Sequence, residues 1–364
     1  MIRERIRALD GLRFLAAFGV LWIHTWTIFG NPRFFVGPVD IANIMALGGN
    51  GVDLFFVISG FCMYYFYASR TNFSYHDFYR FLVKRWVRLS PAFYTATLAY
   101  LLMYKFVDHK QVDFVGNLFH SLFYLYYILG RYITAGHFWT LTVEWQFYFT
   151  IPWLLIYQTK KGFNRVFILI FGLLFLSCVV GVLIYKKQAD LFTGTLLFHG
   201  LEFGCGILCA RLMITNQTAL KHRSLWMTAF ILITYVGRVL ISKPAFDYLP
   251  NYYNLLRLSG FSLMGLGFSG ILYLSITSKG KLGMILGNNL FISLGKISYS
   301  FYLFHGMVFP FVVNAYLKYA GRVGDMIDPV CCTILSVAAI YPVAWISYRF
   351  LEKPFFSVGN LTTK

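Results

Sequence analysis

The sequence predicts an all-α protein, a polytopic transmembrane helix bundle of about ten spans with both termini in the cytoplasm. Three observations predict it. The chain is 58% hydrophobic and 20% aromatic with only 13% charged residues, and its mean hydropathy is +0.63. No soluble domain of this length is so apolar. Apolar runs of about 20 residues recur from end to end, the length a helix needs to cross a hydrocarbon core roughly 30 Å thick. The 32 Lys and Arg residues sit mostly in short connections between these runs, which marks orientation in a membrane.

The expected spans are residues 12–30, 51–68, 91–107, 136–157, 165–185, 192–213, 225–241, 257–276, 297–319 and 328–350. With the N-terminus inside, about two-thirds of the basic residues fall on the inner face, most densely in residues 1–13 and 69–90. Residues 112–130, VDFVGNLFHSLFYLYYILG, are rich in Tyr and Phe and read as an interfacial or re-entrant helix. The first run follows Arg3, Arg5 and Arg7 and carries charges of its own, so a retained span is expected, not a cleaved leader. A single domain over 1–364 is expected, with no long linker, low-complexity segment or inverted repeat.

A net charge of +18 would suggest nucleic acid in a soluble protein; in this chain it is a topology signal, and no nucleic-acid partner is expected. Cys62, Cys178, Cys205, Cys209, Cys331 and Cys332 lie in apolar stretches without a CxxC pair. They read as small packing residues, and no metal site is expected.

The chemistry-bearing stretches begin with Leu9–Trp26, LDGLRFLAAFGVLWIHTW, interrupted by Arg13 and His24. Their spacing is about three helical turns plus roughly 20°, so they share one face about 16 Å apart along the axis. His24 then lies near the bilayer midplane, where an ionisable group needs a protein- or water-lined interior. A neutral imidazole suits a general base. A permanent guanidinium at the cytoplasmic mouth suits an anionic group of a soluble cosubstrate. In Gly48–Phe61, GGNGVDLFFVISGF, the glycines allow close approach, and Asp53 either answers a helix dipole or orients a catalytic side chain.

Phe78–Tyr94, FYRFLVKRWVRLSPAFY, reads as a basic amphipathic segment on the inner leaflet. It attracts anionic lipid, or its Arg85 and Arg88 grip the phosphates of a cofactor. Glu144, in His137–Tyr148 (HFWTLTVEWQFY), is a carboxylate inside the fourth span that must pair across helices or be protonated. In Ser298–His305, SYSFYLFH, Ser298, Tyr302 and His305 share a face. His305 is then a partner to His24 or Glu144, or an interhelix contact. His199 and Glu202 in the sixth span read as a structural pair. No HExxH, GxSxG or GxxxxGK[ST] is present, which leaves zinc hydrolysis, α/β-hydrolase chemistry and ATP-driven transport without support.

Taken in order, LDGLR with Arg13 and His24, GVDLFFVISGF, KRWVRLSPAFY, WTLTVEWQFY, SYSFYLFHG and YRFLEKPF resemble membrane acyltransferase family 3, integral membrane O-acyltransferases of bacterial surface glycans. The resemblance runs from Leu9 to Phe355. It implies transfer of an acyl group, usually acetyl, from acetyl-CoA to a hydroxyl of a lipid-linked or surface carbohydrate such as lipopolysaccharide, in the bacterial cytoplasmic (inner) membrane. By the same resemblance Arg13 and His24 match the family's essential Arg and His, and Arg85 and Arg88 its coenzyme-contacting arginines. Glu144 and His305 match its other polar membrane positions. Trp145 stands where a second acidic residue is common, and the extracytoplasmic hydrolase-like domain of some members is not expected within this chain. Arg13, Arg85 and Arg88 are expected to hold the coenzyme phosphates. His24 is expected to activate the hydroxyl or carry the acyl group, with Glu144 or Asp53 fixing its tautomer. The competing expectations are a transporter or flippase for an acylated lipid or glycan, and a non-catalytic membrane scaffold.

Overall fold

The computed structural model of the chain describes residues 6–37, 39–68, 73–126, 134–185, 194–215, 221–242, 247, 249, 252–278 and 280–356. Among these the fold is helical, apart from a two-residue antiparallel pairing of Phe35–Val36 with Val39–Asp40. The principal helices are α1 (Arg7–Ile28), α2 (Gly51–Tyr67), α3 (Tyr75–Phe106), α4 (Phe114–Leu122), α5 (Trp139–Lys161) and α6 (Phe163–Tyr185). They continue as α7 (Leu196–Ile214), α8 (Arg223–Leu240), α9 (Tyr253–Ile276), α10 (Ser298–Tyr319) and α11 (Ile327–Ser347).

Among the described residues, seven helical stretches are long and apolar enough to cross a membrane: Arg7–Ile28, Ala46–Tyr67, Phe163–Tyr185, Leu196–Ile214, Tyr253–Ile276, Ser298–Tyr319 and Ile327–Phe356. Each of the ten expected spans is helical over most of its described part. Those at 91–107, 136–157 and 225–241 lie in α3, α5 and α8, whose polar residues dilute their hydropathy. Thr95, Thr97 and Lys105 lie in the span part of α3, Glu144 and Gln146 in α5, and Arg223 and Arg238 in α8.

Helix α3 differs from expectation. The basic segment at 78–94 is not a separate surface helix; it is continuous with the following apolar run through Pro91. Proline removes one backbone donor but does not end this helix. At 32 residues, α3 is about 48 Å long, well beyond a hydrocarbon core of roughly 30 Å. Its charged half therefore has room to project past the apolar zone. Within 112–130, α4 has nine residues, about 13 Å and too short to span. Residues 127–133 lie outside the described residues.

The chain divides into two compact units. The first comprises residues to Leu9, Asp53–Leu82 and Trp139–Asn288. Small residues set its helix contacts. A Cβ built on Gly60 of α2 would lie 2.2 Å from the Phe203 carbonyl of α7, and one on Gly206 would lie 2.0 Å from the Val57 carbonyl. Helices pack this closely in membranes where glycine lets backbones touch, because lipid tails provide no hydrophobic drive between them.

The second unit comprises Asp10–Val52, Val83–Phe138 and Asn289–Lys364. Here the turn ahead of α2 lies against α1. A Cβ on Gly51 would meet the Ala16 carbonyl at 2.1 Å, and Trp22 Nε1 donates to the Met45 carbonyl at 2.8 Å. That packing fixes the roll of α1, and with it the direction of its polar face. Tyr299 Oη, on α10, donates to the Leu89 carbonyl of α3 at 3.0 Å.

Candidate functional site

In the second unit α10 presents Tyr302, His305 and Phe309 on one side, as their spacing predicts. His305 is 1% exposed. Its Nδ1 lies 2.6 Å from the Tyr302 carbonyl. A carbonyl only accepts, so Nδ1 carries the hydrogen, and in the neutral ring Nε2 carries a lone pair. That Nε2 is buried and has no hydrogen-bond partner among the described residues.

Two further imidazoles meet this ring. His24 of α1 stacks on it with centroids 5.3 Å apart, and also faces Phe309 at 5.9 Å. His24 is exposed, so the stack has one accessible member and one buried member. His137, in the turn Gly136–Phe138 ahead of α5, places its ring 4.4 Å from that of His305. Its Nε2 is 3.2 Å from the Leu303 carbonyl, and its own carbonyl accepts from Tyr302 Oη at 2.8 Å. Gly306 makes room for it: a Cβ there would lie 3.1 Å from His137 Cε1 and 2.8 Å from Tyr100 Oη.

Arg13, Arg85 and Arg88 of this unit are half-buried. Arg13 lies on α1 with His24. Arg85 and Arg88 lie on α3, one turn apart. The Arg88 guanidinium sits 4.9 Å above the Phe356 ring and interacts with the charge of Glu352. Glu352 ends a π-turn, Tyr348–Glu352, that follows α11. It is buried and accepts a short hydrogen bond from Ser300, whose Oγ is 2.7 Å from Ser347 Oγ.

Asp53 and Glu144 belong to the first unit, in separate polar clusters. Glu144 accepts from Ser59 Oγ at 3.0 Å and from the Tyr148 hydroxyl by a short bond. Asp53, His199 and Glu202 are 3%, 1% and 1% exposed, and their donor atoms lie within 4.8 Å of one another. His199 Nδ1 is 2.7 Å from Glu202 Oε2, while the ring is walled by Phe56, Trp139 and Phe261 at 4.7 to 5.2 Å. The spacing is one a metal ion could use. The guanidinium of Arg238, which interacts with Asp53, brings a positive charge to the cluster from the protein itself.

The structure thus brings His24 and His305 together and adds His137, which sequence reasoning did not single out. The signal for it was the histidine opening HFWTLTVEWQFY, beside a run already marked for Glu144. His199 and Glu202 are hydrogen-bonded to each other, with Asp53 in the same cluster, and Glu144 is bonded to Ser59 and Tyr148.

A family model, Acyl_transf_3, described as an acyltransferase domain, matches residues 6–349. A Staphylococcus aureus (strain COL) protein named "Putative O-acetyltransferase SACOL0978" is 24% identical over 97% of this chain and 58% of its own length. The O-acetyltransferase OatA of S. aureus strain NCTC 8325 is also 24% identical, over 96% of this chain and 57% of its own. The chain therefore spans somewhat over half the length of these relatives. No solved structure matches the chain significantly.

Proposed function

Because the chain belongs to this acyltransferase family, we propose that it is an integral membrane O-acyltransferase moving an acetyl group from acetyl-CoA to a hydroxyl of a lipid-linked or surface carbohydrate. The observation that carries the proposal is the stack in which the accessible His24 lies on the buried His305. Exposed at one face and held by aromatic rings at the other, His24 is where acyl group and acceptor meet, as base or as acyl carrier. Three turns away on the same helix face, Arg13 supplies a fixed positive charge for the coenzyme. Arg85 and Arg88, near the middle of the long α3, add two forks suited to phosphate oxygens. Phe356 and Glu352 hold Arg88 in place, which lowers the ordering cost of binding. In this reading the protein crosses the bacterial cytoplasmic membrane ten times with both termini inside, so the basic half of α3 meets the cytosolic pool of acetyl-CoA.

The names of the relatives support acetyl as the group moved. The test is incorporation of label from acetyl-CoA into the glycan fraction of membranes containing the protein, with free coenzyme A measured in parallel. Equal amounts of acetylated glycan and coenzyme A are expected. Movement of an acylated lipid or glycan across the bilayer without coenzyme A release would instead make the protein a flippase.

A further inference from the structure

His305 is the side chain the site leaves unfinished. Its Nδ1–H is spent on the Tyr302 carbonyl, and its Nε2 is buried and has no hydrogen-bond partner among the described residues. A buried acceptor without a donor costs on the order of 1–3 kcal/mol, so such an atom marks where a donor is missing. The rings around it cannot fill the place as they stand. His24 lies face to face with it, not edge-on. His137 turns its Nε2 toward Leu303. Tyr302 gives its hydroxyl hydrogen to the His137 carbonyl. Tyr100, behind His137, reaches toward the Leu303 carbonyl at 3.5 Å.

We propose that Nε2 of His305 receives the acceptor hydroxyl and takes its proton, while His24 faces the acyl group. The inference rests on the acyltransferase reading above and divides its chemistry between two imidazoles. In the step, the hydroxyl O–H bond breaks and an N–H bond forms on His305 as the oxygen attacks the acyl carbon. The bond from that carbon to its carrier breaks, and the new imidazolium returns the proton to the departing group. Each turnover releases acetylated glycan and coenzyme A as the free thiol and leaves His305 neutral. The Nδ1–H···O=C bond suits this role, because it fixes one tautomer and stabilises the imidazolium as it forms. His137 is a positioning residue whose ring lies tilted against that of His305, centroids 4.4 Å apart.

The test uses the full chain in membranes, with labelled acetyl-CoA as the probe and the amount of folded protein set by size-exclusion chromatography. His305→Gln keeps an acceptor atom near the Nε2 position but is not a base. His305→Ala opens a space for a free imidazole. Both are expected to lower label incorporation at least 100-fold per folded molecule. Added imidazole is expected to restore His305→Ala at least tenfold and leave His305→Gln unchanged. The midpoint of the fall of the wild-type rate at acid pH is expected to move in His305→Gln, where His24 is the remaining imidazole. A folded His305→Gln with the wild-type rate and pH profile overturns the inference, as does a loss in His305→Ala that imidazole does not restore. Either result leaves the acyltransferase reading standing if wild-type membranes incorporate label; wild-type membranes that incorporate none overturn both.

Discussion

Replacing His24 with alanine is expected to lower acetyl transfer at least 100-fold while leaving the protein folded. The two halves of that expectation have different origins. The catalytic loss follows from removing the accessible imidazole, since a positioned acid–base group contributes about 10²- to 10⁴-fold. The structural tolerance follows from exposure: His24 gives the fold two ring contacts, with His305 and Phe309, and such pairs are worth about 0.5–1.5 kcal/mol each. His305 is different, because a buried ring removed to alanine costs about 3–5 kcal/mol. Thermal unfolding in detergent alongside initial-rate assays checks both halves. A folded His24→Ala protein with full activity would sink the proposed function.

Valine at Gly206 is expected to give the largest loss of stability. Even the first carbon of a side chain there would lie 2.0 Å from the Val57 carbonyl and 2.8 Å from the Phe61 amide nitrogen. Both are backbone atoms and cannot rotate away. Overpacking usually costs 1–3 kcal/mol and more where nothing yields, so a loss of about 3 kcal/mol or more is expected. Separating α2 from α7 would also pull Asp53 from His199 and Glu202. Gly172→Ala is the control. Its Cβ would meet only Ile168 Cγ2, at 3.8 Å, and alanine favours a helix over glycine by about 1 kcal/mol. Unfolding midpoints of the two variants should move in opposite directions.

What the sequence made legible follows from which forces are local. Helix positions were readable because an apolar run of membrane length constrains few alternatives. The Tyr302–His305 row was readable because helical spacing fixes which side chains are neighbours. The close approach of Gly48–Gly51 was readable because only glycine permits it, although its partner, the Gly19 and Ala16 side of α1, was not. Contacts between distant segments were not readable. His137 joins His305 through a turn ahead of α5; its stretch was marked for Glu144, but the partner of its own ring was not readable. Asp53 and Glu144 were singled out from their chemistry alone; their neighbours, His199 and Glu202 for Asp53 and Ser59 and Tyr148 for Glu144, were not readable. The continuity of α3 was hidden by its composition, since a basic half and an apolar half look like two elements when hydropathy is read in windows.

The π-turn after α11 makes the end of the described chain sensitive to length. A wide turn holds one residue more than the ordinary helix would, so deleting a residue between Tyr348 and Glu352 would let the coil tighten. Everything downstream would then swing by about 100° around the axis. Phe356 would leave the guanidinium it now covers, and Glu352 would lose Ser300. A change that adds no charge and opens no cavity would thus unseat Arg88 from behind, through the phase of a helix.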